Sequence, residues 1–256
     1  MITYAALAVT GISAGILGSM VGLGGGMLFL PVLNLLMGYS LEMTVGTSLF
    51  ATIFTSLSSF WGHYRAGHIY LKTGCIIGCG GLAGVLIGSF IFNNYFVGSL
   101  NSLKTCMGLW FLFLSFRMGQ QAYHSLKGIH DPQRNPPFSP ESTTALLIAG
   151  CFTGILAGIL GIAGGVVMMP VLTFFFGLPL LQAVGTTFLA MLAITVSGGL
   201  IKMFHGFVVL ESGLVLGLGA ALGAQLGVFF SRFITPLMLK SLFSLLFLFI
   251  GVSYFL

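Results

Sequence analysis

The residues of this sequence with the clearest chemical potential are glycines, prolines and hydroxyl side chains that occur twice along the chain. Gly22, Gly24, Gly25 and Gly26 form the first cluster, and Pro31 follows five residues after Gly26. Glycines weaken a helix and proline removes a backbone donor, so this pattern predicts a break in a helix. A helix that begins after a break has free N–H groups and the positive end of its dipole, which favour an anion.

The second occurrence belongs to a repeat of the whole unit. A shift of 139 residues aligns 11–88 with 150–227 without a gap, and 24 of the 78 aligned pairs are identical. Thirteen of these 24 pairs are glycine, a register that apolar composition alone does not produce. Internal duplication is common in transporters. The second copy of the break contains Gly161, Gly164, Gly165 and Pro170, with Ala163 in place of Gly24, which predicts a less open second break.

Polar side chains follow both breaks and could bind the same anion. Hydroxyl groups hydrogen-bond an oxyanion, although in lipid they also bond the carbonyl four residues back. The predicted substrate-binding residues are Gly24, Gly25, Gly26, Asn34, Thr47, Ser48, Gly164, Gly165, Thr173, Thr186 and Thr187. Arg65 and Lys202 are predicted entrance or gating charges. We expect no buried cation in the spans, so attraction would come from helix N-termini and hydroxyls.

Several kinds of chemistry are excluded by what the sequence lacks. No HExxH, GxSxG or P-loop pattern occurs, so neither an enzyme nor an ATP-driven pump is expected. The four cysteines lie in apolar runs without metal-site spacing, and no cofactor or metal is predicted. The net charge of +5 comes from single Lys and Arg residues at span ends, which indicates anchoring of cytoplasmic loops and not nucleic-acid binding.

The elements that must position these residues are helices that cross a bilayer. Hydrophobic residues make up 57% of the chain, charged residues 5%, and the mean hydropathy is +1.10. A soluble domain has about a quarter of its residues charged, so lipid must solvate most side chains here. At roughly 20 residues per span, the chain has room for about eight to ten crossings.

The apolar runs form two membrane repeats, 1–118 and 142–256, joined by a polar linker at 119–141. Each repeat is predicted to contain a broken first segment, about 3–21 with 27–38 and 142–160 with 166–177, followed by three spans. Glycines at four-residue steps, such as Gly80, Gly84 and Gly88, predict close helix packing.

The orientation of the two repeats follows from the basic residues. If each half crosses the bilayer an odd number of times, seven of the nine Lys and Arg residues share one side; four crossings per half give six. The positive-inside rule prefers the first arrangement, with the linker in the cytoplasm. The predicted fold is an all-α polytopic membrane protein whose two homologous halves are inverted repeats.

At these residues the sequence resembles the sulfite exporter TauE/SafE family, also called the TSUP transporters. The resemblance is carried by G-x-G-G-G-x-x-x-x-P at 22–31, its relative at 161–170, VGTS at 45–48, VGTT at 184–187 and HYRAGHI at 63–69, and it covers essentially the whole chain. It implies a multi-pass protein of the cell membrane, the inner membrane in a bacterium, that carries sulfite, sulfonates or other small organic anions, often outward. The second copy departs from it at KMFHGFV, 202–208, which lacks the arginine of HYRAGHI.

The predicted function is a secondary transporter of a small anion, with sulfite or an organosulfonate as the candidate substrate. Export would proceed by alternating access around a midplane site formed by the two broken helices. The alternatives are an anion channel that uses the same residues and a non-transporting membrane scaffold or assembly factor. The expected partners are the anion and the lipid bilayer, while proton coupling and homo-oligomerisation stay open.

Overall fold

A computed structural model describes residues 2–97, 100–126, 142–233 and 236–253, and all regular structure in these ranges is helical. This confirms the predicted all-α class for the described part of the chain. The helices of the first half are α1 (Ile2–Val21), α2 (Gly26–Pro31), α3 (Leu41–Arg65), α4 (Leu71–Ile91) and α5 (Leu100–Leu126). Those of the second half are α6 (Thr143–Leu160), α7 (Gly165–Pro170), α8 (Leu180–Phe204), α9 (Leu210–Phe230) and α10 (Pro236–Ser253).

Short irregular turns extend several of these helices. A π-helical turn, Val32–Leu36, continues α2, and another, Val171–Phe175, continues α7. A third, Phe92–Phe96, extends α4. The helix α5 reaches Leu126, beyond the predicted start of the linker, and the linker residues after it lie outside the described ranges up to 141.

Six of the described helical segments are long and apolar enough to cross a membrane. They are Tyr4–Val21, Leu41–Arg65, Leu71–Phe96, Thr143–Leu160, Leu180–Phe204 and Leu210–Phe230. Large apolar side chains such as Phe90, Leu222 and Phe249 are exposed on the outside of the molecule, where lipid tails would surround them. The chain is therefore a multi-pass membrane protein.

The helices α3 and α8 lie at the centre of the molecule and run antiparallel. Near the start of α3, the Leu49 side chain approaches Gly198 in the last part of α8. At the other end of α3, the His63 ring stacks on Phe188 with 5.8 Å between ring centroids. In the repeat alignment α3 and α8 are equivalent helices.

The helices α1 and α4 each pack in parallel against a helix of the other half. Tyr4 Oη donates a 2.6 Å hydrogen bond to Glu211 Oε2 near the starts of α1 and α9, and Gly227 contacts Ile16 near their ends. The pair α6 and α4 repeats this arrangement, with Gly80 against Leu147 and Gly88 against Ile155. These glycines contact partner backbone, which confirms that their spacing serves close packing.

Candidate functional site

The chain has the same backbone conformation in the two segments that follow α1 and α6. Between α1 and α2, Gly22, Gly24 and Gly25 have positive φ angles of 81°, 73° and 73°. Between α6 and α7, Gly161 and Gly164 have φ angles of 71° and 79°. Glycine adopts this left-handed conformation without the Cβ clash that other residues suffer, which explains the residue type at these positions.

Ala163 keeps the left-handed backbone although it is not glycine. Its φ angle is 57°, close to the 73° of its repeat equivalent Gly24. Left-handed backbone costs an L-residue roughly 1–2 kcal/mol, so the surrounding contacts must offset this strain. The substitution in the second copy therefore leaves the backbone of this segment in the same conformation.

After each of these segments the chain returns along the helix it has just left. Gly25 lies against the carbonyl oxygen of Ala14, and Phe29 shares an apolar cluster with Leu7 and Ala14 of α1. In the second half, Gly164 lies against Thr153 of α6. The short helices α2 and α7 therefore run beside α1 and α6.

The two irregular segments meet at the centre of the protein. Ser48 Oγ lies 2.9 Å from the carbonyl oxygen of Gly26 and 3.1 Å from that of Gly161, so one hydroxyl reaches both segments. Gly165 contacts the Gly22 carbonyl across the same point. Residues 21–27 and 160–166 are all buried. We refer to this region, 22–26 with 161–165 and Ser48, as the central junction.

The structure brings part of the predicted site together there. Of the predicted residues, Gly24, Gly25, Gly26, Ser48, Gly164 and Gly165 lie at the central junction. Two further residues take part that were not predicted: a Cβ atom at Gly26 would lie 2.9 Å from Thr52 Oγ1, and the Met191 side chain contacts both Gly24 and Gly165. Thr52 follows Ser48 by one helical turn, a spacing that could have indicated it.

Thr47 and Thr186 point away from the junction and bind backbone amides. Thr47 Oγ1 accepts a 3.0 Å hydrogen bond from the amide of Val209, the residue before α9. Thr186 Oγ1 accepts an equal bond from the amide of Tyr70, the residue before α4. Both hydroxyls thus fix the start of a neighbouring helix, in the same way in each half.

The remaining polar residues of the prediction bond within their own segments. Thr187 donates to the carbonyl of Ala183 at 2.8 Å, and Thr173 donates to that of Met169 at 3.0 Å. Asn34 Nδ2 donates to the carbonyl of Tyr39 at 2.9 Å, at the end of the π-helical turn.

The two predicted entrance charges have different surroundings. Arg65 is exposed at the end of α3, and its guanidinium lies 4.7 Å from the centroid of the Trp61 ring. Lys202 is only 2% exposed, and its Nζ lies 3.0 Å from the centroid of the Phe92 ring. The expectation that no span holds a buried cation is therefore wrong, because Phe92, distant in sequence, covers Lys202.

The repeat alignment pairs Lys202 with His63, which is also buried. Among the described residues, each half therefore carries a buried basic side chain near the end of equivalent helices, α3 and α8. The described buried residues include no Asp or Glu. Within the same ranges, no group of three or more His, Cys, Asp or Glu residues is arranged to hold a metal ion.

Comparison with known proteins gives relatives along nearly the whole chain. A probable membrane transporter protein of Bacillus subtilis, YunE, is 27% identical over 90% of this chain and 89% of its own length. Another probable membrane transporter protein, from Methanocaldococcus jannaschii, is 27% identical over 93% of this chain and 90% of its own length. A second Bacillus subtilis protein of the same description, YdhB, is 29% identical over 89% and 90%. No solved structure matches the chain.

The family comparison agrees with the repeated glycine–proline elements and the membrane helices. The family described as sulfite exporter TauE/SafE matches residues 7–254. This range includes both irregular segments. It also includes all six candidate membrane spans, apart from the first residues of α1. The chain is a membrane protein of the sulfite exporter TauE/SafE family.

Proposed function

We propose that this protein is a secondary transporter of a small anion, which it binds at the central junction and moves by alternating access. The observation that carries the proposal is the contact of the two irregular segments through Ser48, whose hydroxyl reaches the Gly26 and Gly161 carbonyls. Irregular backbone at membrane depth is tolerated only where protein buries it or where it lines a polar cavity. A buried junction of two such segments is therefore a place where an ion can be bound.

Alternating access is supported by the relation between the halves. The equivalent helices α3 and α8 run antiparallel, and α2 and α7 return along α1 and α6, so each half makes an odd number of crossings. We infer that the halves are inverted repeats, each with one broken first segment and three spans. Two inverted halves that exchange conformations would open the same central site to one side and then to the other.

The charge distribution supports an anion as the substrate. The chain from Gly26 to Leu36 forms one short apolar helical stretch, and α7 begins equivalently at Gly165. The first amides of such segments have no partner within the helix and carry partial positive charge. Lys202 adds a buried cation, and the described core has no acidic side chain to oppose it. Sulfite or an organosulfonate, exported from the cell, fits this surrounding and the name of the family.

The burial of the junction favours a carrier over an open channel. In the described structure, residues 21–27 and 160–166 are enclosed by protein, as expected for a site that opens to one side at a time. A scaffold protein would not need irregular backbone at this depth.

The test is flux into proteoliposomes that contain the purified protein. The panel would include sulfite, sulfate, an alkylsulfonate and acetate, each with and without a pH gradient. We expect saturable uptake of a sulfur oxyanion that is accelerated by unlabelled substrate on the opposite side. Flux without saturation or counter-stimulation would identify a channel, and no flux of any tested anion would contradict the proposal.

A further inference from the structure

One face of α3 is lined by buried polar side chains from the central junction to the end of the helix. Each residue on it lies three or four positions from another member, so they share one side of the helix. Every one of these side chains is 0% exposed. The polar face of α3 consists of Ser48, Thr52, Thr55, Ser56, Ser59 and His63.

Four polar atoms of this face have no hydrogen-bond partner among the described residues. They are Thr55 Oγ1, Ser56 Oγ, Ser59 Oγ and His63 Nδ1. The great majority of buried polar atoms in proteins are paired, because an unpaired one costs the free energy of its lost hydration. Four unpaired atoms along one helix face therefore indicate a partner other than protein, such as water or an ion.

The ends of the polar face are held in place by identified contacts. Thr52 Oγ1 donates to the Ser48 carbonyl at 2.7 Å beside the junction. His63 Nε2 lies 3.2 Å from the Ser19 carbonyl oxygen, and since a carbonyl only accepts, Nε2 carries the hydrogen. Nδ1 is thus the free nitrogen. The neighbours of the His63 ring are Phe188 of α8 and His68 of the following loop, both at 5.8 Å between centroids.

The equivalent face of α8 is different. The hydroxyls of Thr187 and Thr195 donate to carbonyls of their own helix, those of Ala183 and Met191, at 2.8 Å each. The positions equivalent to Thr52, Thr55 and Ser59 are occupied by residues without hydrogen-bonding side chains, namely Met191, Ile194 and Gly198. The unpaired hydroxyls are therefore confined to one of the two equivalent helices.

We propose that the polar face of α3 lines a hydrated passage that ends at His63, with a second oxyanion subsite formed by the hydroxyls of Thr55, Ser56 and Ser59. This proposal rests on the transport function proposed above and adds a route from the junction to the end of α3. Hydroxyls donate to the oxygens of an anion, and the free Nδ1 of His63 accepts a hydrogen bond from water in the passage. The described groups that face the imidazole include a second histidine but no carboxylate, which favours an anion over a cation.

Cysteine labelling tests the passage independently of transport. In a variant without the four native cysteines, Ser56→Cys and Ser59→Cys would be treated with an anionic and a cationic methanethiosulfonate reagent of similar size. Ser58→Cys is the matched control, because Ser58 lies next to Ser59 but donates to the Ala221 carbonyl of α9. Thr195→Cys is the second control, as the equivalent of Ser56 on α8. The exposed Ala66→Cys supplies the reference rate for each reagent.

We expect Ser56→Cys and Ser59→Cys to react, whereas Ser58→Cys and Thr195→Cys stay unmodified. Relative to Ala66→Cys, the anionic reagent should react about tenfold faster than the cationic one, since the helix N-termini at the central junction, where the passage begins, carry partial positive charge that attracts anions. Unreactive cysteines at 56 and 59 in folded protein would overturn the passage, and equal relative rates for both reagents would overturn its assignment to an anion. If the protein transports an anion but the cysteines on α3 do not react, the passage is refuted and the transport function stands. If these cysteines react selectively with the anionic reagent but no anion is transported, the passage stands and the transport function is refuted.

Discussion

The Ser48 hydroxyl lies 3.1 Å from the carbonyl oxygen of Gly161, which belongs to the other half of the chain. The same oxygen lies 2.9 Å from the carbonyl of Gly26. A hydroxyl has only one proton, so the two carbonyls, one from each half, compete for a single donor. The equivalent hydroxyl, that of Thr187, bonds the Ala183 carbonyl within α8, so the repeat does not duplicate this link between the halves.

Removal of that link should weaken the junction. Ser48→Ala leaves buried carbonyls without the donor, and we expect the free energy of unfolding to fall by about 1–3 kcal/mol. Thr187→Val is the matched control. The Ala183 carbonyl that loses the Thr187 hydroxyl still accepts a hydrogen bond from a backbone amide of α8. Thermal unfolding in detergent would compare the variants, and an equal loss in both would contradict a special role for Ser48.

Thr47→Val and Thr186→Val should destabilise the protein to similar extents. Each removes the acceptor of a backbone amide, that of Val209 or Tyr70, and an unpaired buried donor costs about 1–3 kcal/mol. Serine keeps the acceptor, so Thr47→Ser and Thr186→Ser should retain most of the stability. Titration of the same variants with the transported anion would distinguish an effect on stability from an effect on anion binding. Full stability with roughly ten- to hundredfold weaker affinity would instead place these threonines in the substrate site.

Gly165→Ala should disrupt the contact between the two irregular segments. An added Cβ would collide with the Gly22 carbonyl oxygen, which is backbone and cannot move aside as a flexible side chain can. We expect loss of transport or of folded protein. Gly78→Ala is the control: its Cβ would meet the Ala193 Cβ at 3.5 Å, an ordinary contact, in the interior of α4. There alanine should be neutral or stabilise by up to about 1 kcal/mol, and equal damage from both substitutions would contradict the argument.

Lys202→Met tests the buried cation. Methionine keeps much of the volume beneath Phe92 and removes the charge, so folding should be retained because no desolvation cost remains. Anion affinity should fall by about tenfold or more, because the charge that attracts the anion is lost. A tenfold loss corresponds to about 1.4 kcal/mol of binding free energy. Arg65→Met removes an exposed charge, and we expect it to change the free energy of anion binding by no more than about 0.5 kcal/mol. Isothermal titration with the transported anion would compare the two variants, and unchanged affinity in Lys202→Met would assign this lysine to packing.

Inverted halves predict that equivalent residues lie on opposite sides of the membrane. Ala66 and His205 are 139 positions apart, and both are exposed just after α3 and α8. Cysteines at these positions in a Cys-free variant should react with an impermeant reagent from opposite sides, Ala66→Cys from the cytoplasm. Ser40→Cys, at the start of α3, should react from the same side as His205→Cys. Reaction of Ala66→Cys and His205→Cys from one side would refute the inverted arrangement.

Local features of this chain could be predicted from the sequence, whereas long-range contacts could not. The helix boundaries at Val21 and Gly26 lie within a residue of those expected, because glycine and proline act on the backbone where they stand. The burial of Lys202 depends on Phe92, and the role of Thr47 depends on an amide 162 residues away. Neither partner can be identified from a single sequence.

The polar face of α3 lies between these two cases. Its residues, from Ser48 to His63, follow helical spacing, so their shared side could have been recognised from the sequence. What the spacing could not show is that this side faces inward and that several hydroxyls there have no partner in the protein.

The parallel pairing of α1 with α9, and of α4 with α6, has a consequence for synthesis of the chain. Gly11 and Gly15 of α1 contact α9, and Gly80, Gly84 and Gly88 of α4 contact α6, so these glycine surfaces have no complementary partner until much later residues have entered the membrane. Such long-range pairing delays final assembly, because its contacts form only after a large chain loop closes. Neither half should therefore be a stable unit when made alone, and each should survive in the cell only when both are produced together.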